Sequence, residues 1–240
     1  MQLEDGSVTK RVALVTGVGP GTGASIVRRL AKGGYAVAML ARTKERLLQL
    51  EKEVPGARAF VADVGDEAQL DAVLEQVKRE LGAPALVVHN AVGILFGTFM
   101  EIDPALVEQN FRTNVMALLY LARKTAPAMI EAGRGAIVVT GNTSALRGKS
   151  NYAGFAPTKA AQRILAESIA RDLGPKGVHV AHVLIDAVID VEWTRKVLPN
   201  APDDFFIQPD DIAEEVWHVA HQPRGAWSFN VEVRPFGETW

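Results

Sequence analysis

Cysteine is absent from this chain of 240 residues. Without a thiol the protein has no disulfide framework, no redox thiol, no thiolate nucleophile and no cysteine-ligated metal site. Histidine does not replace it, because His218 and His221 lie three residues apart near a predicted helix end, where histidine more often complements the helix dipole than binds a metal. We therefore infer no metal site.

Long hydrophobic runs and an excess of one charge are also lacking. No stretch approaches the roughly 18 to 20 unbroken apolar residues that span a bilayer, and the polar, acidic start at residues 1–10 does not resemble a signal peptide. The formal net charge of −2 provides no broad cationic surface for a nucleic acid. We expect a soluble, cytoplasmic protein with no nucleic-acid partner and no membrane partner.

The chain does contain a regular alternation of apolar runs and helical patterns. Its 48% hydrophobic and 22% charged residues suit one substantial core, so we expect a flexible arm at 1–10 and a single domain at 11–240. Apolar runs predict buried strands at 11–16, 35–40, 57–62, 85–89, 136–140, 178–185 and 227–233. The intervening helical spacing predicts an α/β fold, a Rossmann-like doubly wound parallel sheet of about seven strands with helices on both faces.

The strongest motif is a glycine-rich turn between the first predicted strand and the first predicted helix. Residues 16–23 form the sequence TGVGPGTG, in which glycines follow Gly17 after four and six residues. The fingerprint GxGxxG does not fit this spacing. Even so, a pyrophosphate needs close backbone approach at such a turn, and the positive end of the following helix favours the anion. The residues predicted to bind a dinucleotide here are Thr16, Gly17, Gly21, Thr22 and Gly23.

Further motifs occur in a fixed order along the chain. They are Asp63-Val64 after the third predicted strand, Asn90-Ala91-Val92-Gly93 after the fourth, Asn114 on a long helix, and Lys159 on a later helix. Together with the TGxxxGxG turn, this set resembles the short-chain dehydrogenase/reductase family over essentially the whole chain. The resemblance implies that Asp63-Val64 contacts adenine and that Asn90-Ala91 and Lys159 belong to the cofactor site. It also implies a small-molecule substrate and a homodimer or homotetramer.

The end of the second predicted strand indicates which dinucleotide is bound. An acidic residue there would hydrogen-bond the ribose 2′-hydroxyl and disfavour a 2′-phosphate. This chain instead has Arg42, which can pair with a 2′-phosphate, followed by the hydroxyl of Thr43 at a helix start. We therefore expect NADP(H) rather than NAD(H). The competing interpretation is that Arg42 is an ordinary solvated arginine.

The catalytic positions depart from the family pattern. In the resembled mechanism a tyrosine four residues before the lysine transfers a proton, a serine orients the carbonyl, and an asparagine completes a water relay. Here Phe155 stands four residues before Lys159, and Asn142 falls at the serine position. The usual Pro-Gly after the sixth strand is replaced by Asp186-Ala187. Since general acid catalysis is typically worth about 10²- to 10⁴-fold, ordinary carbonyl reduction should be poor.

Several residues are candidates to replace the missing groups. Tyr152 precedes Lys159 by seven residues, about two helical turns, a spacing that also occurs in enoyl-acyl-carrier-protein reductases. Pro157 favours a helix start after Tyr152, so Tyr152 could equally be a loop aromatic. Asn142 can donate a hydrogen bond to a substrate oxygen through its amide. Less favoured candidates are the hydroxyls of Thr143 and Ser144, and Asp186 as an acid, which could instead be solvated or paired with Arg147 or Arg195.

The favoured hypothesis is an NADP(H)-dependent oxidoreductase acting on a carbonyl or enoyl compound. Its candidate catalytic residues are Asn114, Asn142, Tyr152 and Lys159. An apolar segment near 190–208 is expected to form a substrate lid. The competing hypothesis is an NADP(H)-binding protein with little or no catalysis, acting as a sensor or an assembly subunit.

Overall fold

A computed structural model describes residues 11–237. The expected N-terminal arm at 1–10 lies outside the described residues, as do residues 238–240. The described strands are β1 (Val12–Thr16), β2 (Ala36–Ala41), β3 (Ala57–Val61), β4 (Pro84–His89), β5 (Gly135–Asn142), β6 (Val178–Ile185), β7 (Val188–Ile189), β8 (Phe206–Ile207) and β9 (Asn230–Val233). The described helices are α1 (Thr22–Lys32), α2 (Lys44–Glu53), α3 (Glu67–Glu80), α4 (Pro104–Phe111), α5 (Ala117–Glu131), α6 (Ala156–Leu173), α7 (Glu192–Val197) and α8 (Pro209–Ala220).

Seven strands form one parallel sheet in the order β3-β2-β1-β4-β5-β6-β9. The prediction of a seven-stranded doubly wound sheet is confirmed. All five residues of β1 are buried, because helices cover both faces of the sheet and leave no solvent-facing row. The last strand is shorter than expected and begins only at Asn230.

Successive side chains along each strand lie on opposite faces of the sheet and belong to two separate hydrophobic cores. On one face Ala13 and Val15 pack with residues of α1, α2 and α8, and on the other Leu14 packs with residues of α3, α5 and α6. Burying a leucine of this kind is worth roughly 1.5–3 kcal/mol. The two cores fix the sheet between helical layers and leave its carboxyl edge for the loops.

Local side chains cap the starts of two helices. The Asp66 side chain accepts from the Gln69 amide at the start of α3, and Asp103 caps α4 by accepting from the Ala105 amide. Thr43 occupies the N-cap position of α2, but its side chain makes no capping hydrogen bond. Thr43 therefore retains a hydroxyl for another partner.

The long helix expected to carry Asn114 is interrupted. A π-helical turn at Arg112–Met116 joins α4 to α5 and carries Asn114. Turns of this type occur frequently at functional sites, because the extra residue redirects a side chain. Within residues 11–237 no helix combines the length and the apolar character that crossing a membrane requires.

Candidate functional site

The glycine turn lies where the strand order reverses. β1 is flanked by β2 on one side and β4 on the other, and the crevice at such a switch point is the usual ligand site of open α/β sheets. Gly17 has φ +69°, and a Cβ there would lie 2.4 Å from Ala91 Cα. A Cβ at Gly23 would lie 2.6 Å from Gly17 O. Both glycines are therefore required by close backbone packing, and the turn leads into the N-terminus of α1, which favours an anion.

Asn90 ties this turn to the centre of the sheet. Its side-chain amide donates to Gly17 O at 3.0 Å, and its Oδ1 accepts from Thr140 Oγ1 at 3.0 Å. The Ala91 amide donates to Thr16 Oγ1 at 3.3 Å. The structure thus brings together four residues that the sequence analysis placed in the cofactor site, Thr16, Gly17, Asn90 and Ala91.

Arg42 and Asp63 meet at the far end of the same edge. Arg42 Nη1 lies 3.9 Å from Asp63 Oδ2, and 76% of the Arg42 side chain is exposed. Such a long, exposed ion pair contributes little to stability, so Arg42 is available to another anion. Asp63 is held by the Gly65 amide, which donates to its Oδ1 at 2.9 Å, while Val64 is buried.

A cavity of about 700 Å³ adjoins Asp63. Its lining residues are Asp63, Gly65, Asp66, Glu67, Ala68, Gln109, Arg112, Thr113, Met116 and Tyr120. It lies between the start of α3 and the π turn, on the side of the cleft where the resemblance places adenine. A second cavity, of about 590 Å³, lies apart from the glycine turn and is lined by acidic and apolar residues between 203 and 236.

Lys159 is the most unusual side chain of the site, since it is buried with only 2% exposure. Its Nζ donates to Thr140 O at 3.2 Å and to Gln162 Oε1. Burial disfavours the charged form and lowers the pKa of Lys159 to about 7. Lys159 can therefore change its protonation state near neutral pH.

Two buried histidines lie on the strands beneath Lys159. His89 Nδ1 is 3.0 Å from Thr16 Oγ1 at the end of β4, and His182 lies on β6 against Gly141. Burial, reinforced by the positive charge of Lys159, lowers the pKa of each imidazole to about 3. Both are neutral at physiological pH, so Lys159 is the titrating base of this region.

Asn114 is turned inward by the π turn and fixes the loop after β4. Its Oδ1 accepts from the Gly93 amide at 2.8 Å, and its Nδ2 donates to Gly93 O at 3.0 Å. The same amide donates to Thr158 Oγ1 at 2.8 Å, next to Lys159. Asn114 thereby links the site's loop to the start of α6.

Gln162 belongs to this cluster and was missed by the sequence analysis. It is fully buried on α6, one turn after Lys159. Its Nε2 donates to the backbone carbonyl of Asn114 at 2.6 Å. The available signal was a glutamine three residues after a functional lysine, which places both on one helix face.

Phe155 and Tyr152 precede α6 in an aromatic cluster with Phe96. The ring centroid of Tyr152 lies 4.9 Å from that of Phe96 and 6.3 Å from that of Phe155. Phe155 is buried, while Tyr152 is half-buried in a turn whose backbone pairs with Gly97. Within residues 11–237 no hydrogen bond joins Tyr152 to Lys159, because α6 begins only at Ala156 and Tyr152 is not on its face.

Asn142 and Asp186 occupy the neighbouring ends of β5 and β6. Asn142 Oδ1 accepts from the Ser144 amide at 3.0 Å, so Ser144 acts as a turn residue through its backbone. The Asp186 carboxylate lies 3.9 Å from Arg147 Nη2. The sequence left Asp186 open to pairing with either Arg147 or Arg195, and the structure selects Arg147.

The segment near 190–208 meets the glycine turn at Val191. Arg195 donates hydrogen bonds to both oxygens of Asp190 at 2.7 Å, and these bonds lower the pKa of Asp190 to about 2. Arg195 also lies 2.7 Å from Asp203. Val191 packs on Gly21, where a Cβ would lie 2.6 Å from Val191 Cγ1. The start of this segment therefore contacts the glycine turn directly.

Comparison with known proteins agrees with this architecture. The family model described as short chain dehydrogenase matches residues 11–200. L-xylulose reductase from Mus musculus is 32% identical over 217 residues, which cover 86% of this chain and 87% of that protein.

Two solved structures match almost the full chain. A metagenomic short-chain oxidoreductase in complex with NADP is 30% identical, with a TM-score of 0.82, and the match covers 94% of this chain and 97% of that one. The closed form of serine dehydrogenase complexed with NADP+ is 25% identical, with a TM-score of 0.87, and the match covers 95% and 96% of the two chains.

Proposed function

The chain belongs to the short-chain dehydrogenase/reductase family, and we propose that it is an NADP(H)-dependent oxidoreductase acting on a carbonyl or enoyl compound. The observation that carries the proposal is the position of Lys159, which is buried and donates to the carbonyl of Thr140 on β5. The side chain of Thr140 donates to Asn90, and Asn90 in turn donates to Gly17 of the glycine turn. A buried amine is thus linked to the glycine turn through Thr140 and Asn90.

The residues present fit the proposed cofactor. Gly17 and Gly23 allow the turn to pack closely against Ala91 and against its own backbone. The turn leads into the N-terminus of α1, which favours the charge of a pyrophosphate. Arg42 is exposed and only loosely paired, so its guanidinium can bind a 2′-phosphate. The NADP complexes of the two structural neighbours support this assignment.

In the proposed reaction a bound NADP(H) supplies the hydride donor or acceptor. Lys159 holds a proton whose release is eased by burial. Asn142, at the carboxyl end of β5, offers its amide Nδ2 to a substrate oxygen while its Oδ1 is engaged by the Ser144 amide. Asn114 fixes the loop that follows β4. Tyr152 is a candidate proton donor only if its turn rearranges toward Lys159.

We also propose that residues 190–208 act as a substrate lid. Trp193 and Val197 on α7 are 59% and 67% exposed, which suits an apolar substrate. A homodimer or homotetramer is likewise a proposal, for which the exposed Phe111 on α4 is one candidate contact, whereas Val115 and Leu118 are buried within the chain.

A turnover panel tests the proposed function. NADPH consumption is measured with aldehydes, ketones and enoyl thioesters for the wild type, Lys159→Ala and Tyr152→Phe. Lys176→Ala, at an exposed lysine paired with Asp172, is the matched control. We expect turnover that Lys159→Ala abolishes and Lys176→Ala leaves unchanged. Turnover that survives both Lys159→Ala and Tyr152→Phe would contradict the mechanism.

A binding protein without catalysis is the second candidate function. Phe155 favours it, because the position one helical turn before Lys159 carries no proton-transferring group. The same panel separates the two functions. Tight NADPH binding without turnover of any substrate would favour the binding protein.

A further inference from the structure

Gln162 bridges two groups of the site through a buried amide. It is a polar side chain with no exposure, on a helix face that otherwise packs into the core. Burying an amide is costly unless both its ends are hydrogen-bonded. Here both ends are used, since Oε1 accepts from Lys159 Nζ and Nε2 donates to Asn114 O at 2.6 Å.

We propose that Gln162 is a positioning residue that fixes the Lys159 ammonium. Its amide also prevents protons from passing between Lys159 and the Asn114 carbonyl. This role rests on the proposed function, in which Lys159 serves the cofactor and the substrate.

The geometry explains how the amide does this. Lys159 and Gln162 are separated by one helical turn, so their side chains meet without a backbone change. The π turn presents the Asn114 carbonyl to the opposite end of the same amide. A primary amide keeps its protons at neutral pH, so it binds both neighbours without passing a proton between them. Proton exchange from Lys159 therefore does not proceed through Gln162.

The charges around Lys159 make the oxygens that accept hydrogen bonds from its Nζ important. His89 on β4 and His182 on β6 are the titratable groups whose pKa values respond to the Lys159 charge, and Arg163 on α6 also acts on His182. None of these groups stabilises an ammonium. The acceptors of Lys159 Nζ in the described part of the chain are the Thr140 carbonyl and Gln162 Oε1. Gln162 therefore supplies one of two oxygens that hold the protonated form.

The test measures the pKa of Lys159 by NMR titration of lysine-labelled protein, first without cofactor and then with NADP+. The resonance is assigned by its loss in Lys159→Arg. Gln162→Glu keeps the size of the side chain and adds a negative charge, which should raise the pKa by roughly 1 to 3 units. Gln162→Met fills the space without an acceptor and should lower it. Gln76→Glu, the same change at a half-buried glutamine of α3 whose amide donates to Glu80, should leave it unchanged.

A proton-exchange measurement adds a second readout. Gln162→Ala opens space for water between Lys159 and Asn114, and the Lys159 ammonium protons should then exchange with solvent faster than in the wild type.

The proposal is overturned if Gln162→Glu and Gln162→Met both leave the pKa of Lys159 at its wild-type value. If Gln162→Met does not fold, the near-isosteric Gln162→Glu decides alone. Because the first titration needs no cofactor, a failure of NADP+ to bind would overturn the proposed function and leave the cofactor-free result for Gln162 standing.

Discussion

Asn90 donates a hydrogen bond from its side-chain amide to the backbone carbonyl of Gly17 at 3.0 Å. The two residues are 73 positions apart in sequence and follow adjacent parallel strands, β1 and β4. This contact holds the glycine turn in the shape that leaves Gly17 in the left-handed region. The turn is therefore built by the sheet as well as by its own glycines.

Gly17→Ala should destabilise the protein and abolish dinucleotide binding. A left-handed conformation costs a residue with a Cβ roughly 1–2 kcal/mol, and the new Cβ would lie 2.4 Å from Ala91 Cα. Thermal unfolding without cofactor measures the loss. Gly19→Ala is the control, because a Cβ there meets nothing within 4 Å. Equal melting temperatures for the two variants would refute the argument from backbone packing.

Arg42→Ala should weaken NADPH binding selectively. Losing a hydrogen bond to a charged group costs about 1.5–3 kcal/mol, or roughly 10- to 100-fold in Kd, and NADH has no 2′-phosphate to lose contact with. Fluorescence titration with both cofactors gives the ratio. Arg123→Ala, at an exposed arginine of α5, should change neither affinity. Parallel losses for NADPH and NADH would remove Arg42 as the phosphate-recognising residue.

Phe155→Tyr should increase carbonyl reduction. It places a hydroxyl one helical turn before Lys159, at the position that corresponds to the family's tyrosine, and general acid catalysis is worth about 10²- to 10⁴-fold. The measurement is kcat/KM on the best aldehyde or ketone of the panel. Phe96→Tyr adds a hydroxyl to a neighbouring ring of the same cluster and should give no comparable increase. An unchanged rate in Phe155→Tyr would contradict the expectation that the lack of a proton-transferring group at this position limits carbonyl reduction.

Acid should destabilise the fold through His182. Burial lowers its pKa to about 3 in the folded protein, against about 6.5 when unfolded. Between these values the unfolded chain binds the extra proton, so stability is complete above about pH 6.5 and falls by up to about 1.4 kcal/mol per pH unit below it. Denaturant unfolding at several pH values should show a shallower decline for His182→Leu.

The control for that experiment is His218→Gln, since His218 is exposed on α8. This variant should retain the wild-type decline with falling pH. If His182→Leu also retains it, the acid sensitivity comes from other groups.

Several features followed from sequence because their causes are local. The left-handed backbone at Gly17 and the close approach of Gly23 to Gly17 O favour glycine within one turn, and the buried strands follow from continuous apolar runs. The close approach of Gly17 to Ala91 comes instead from the packing of β1 beside β4. The start of α6 after Tyr152 was anticipated from Pro157. The interruption of the helix that carries Asn114 was not anticipated, because a π turn leaves no simple periodic signal.

The sequence by itself determined the parallel α/β sheet, the glycine turn and the presence of Lys159 and Asn114, since each follows from periodicity or from a motif a few residues long. Only the tertiary structure decided what these residues touch. It placed Gln162 between Lys159 and Asn114, paired Asp186 with Arg147, and packed the ring of Tyr152 against that of Phe96. These contacts join residues on different elements, and they depend on how β4, β5, β6 and α6 pack rather than on any local pattern.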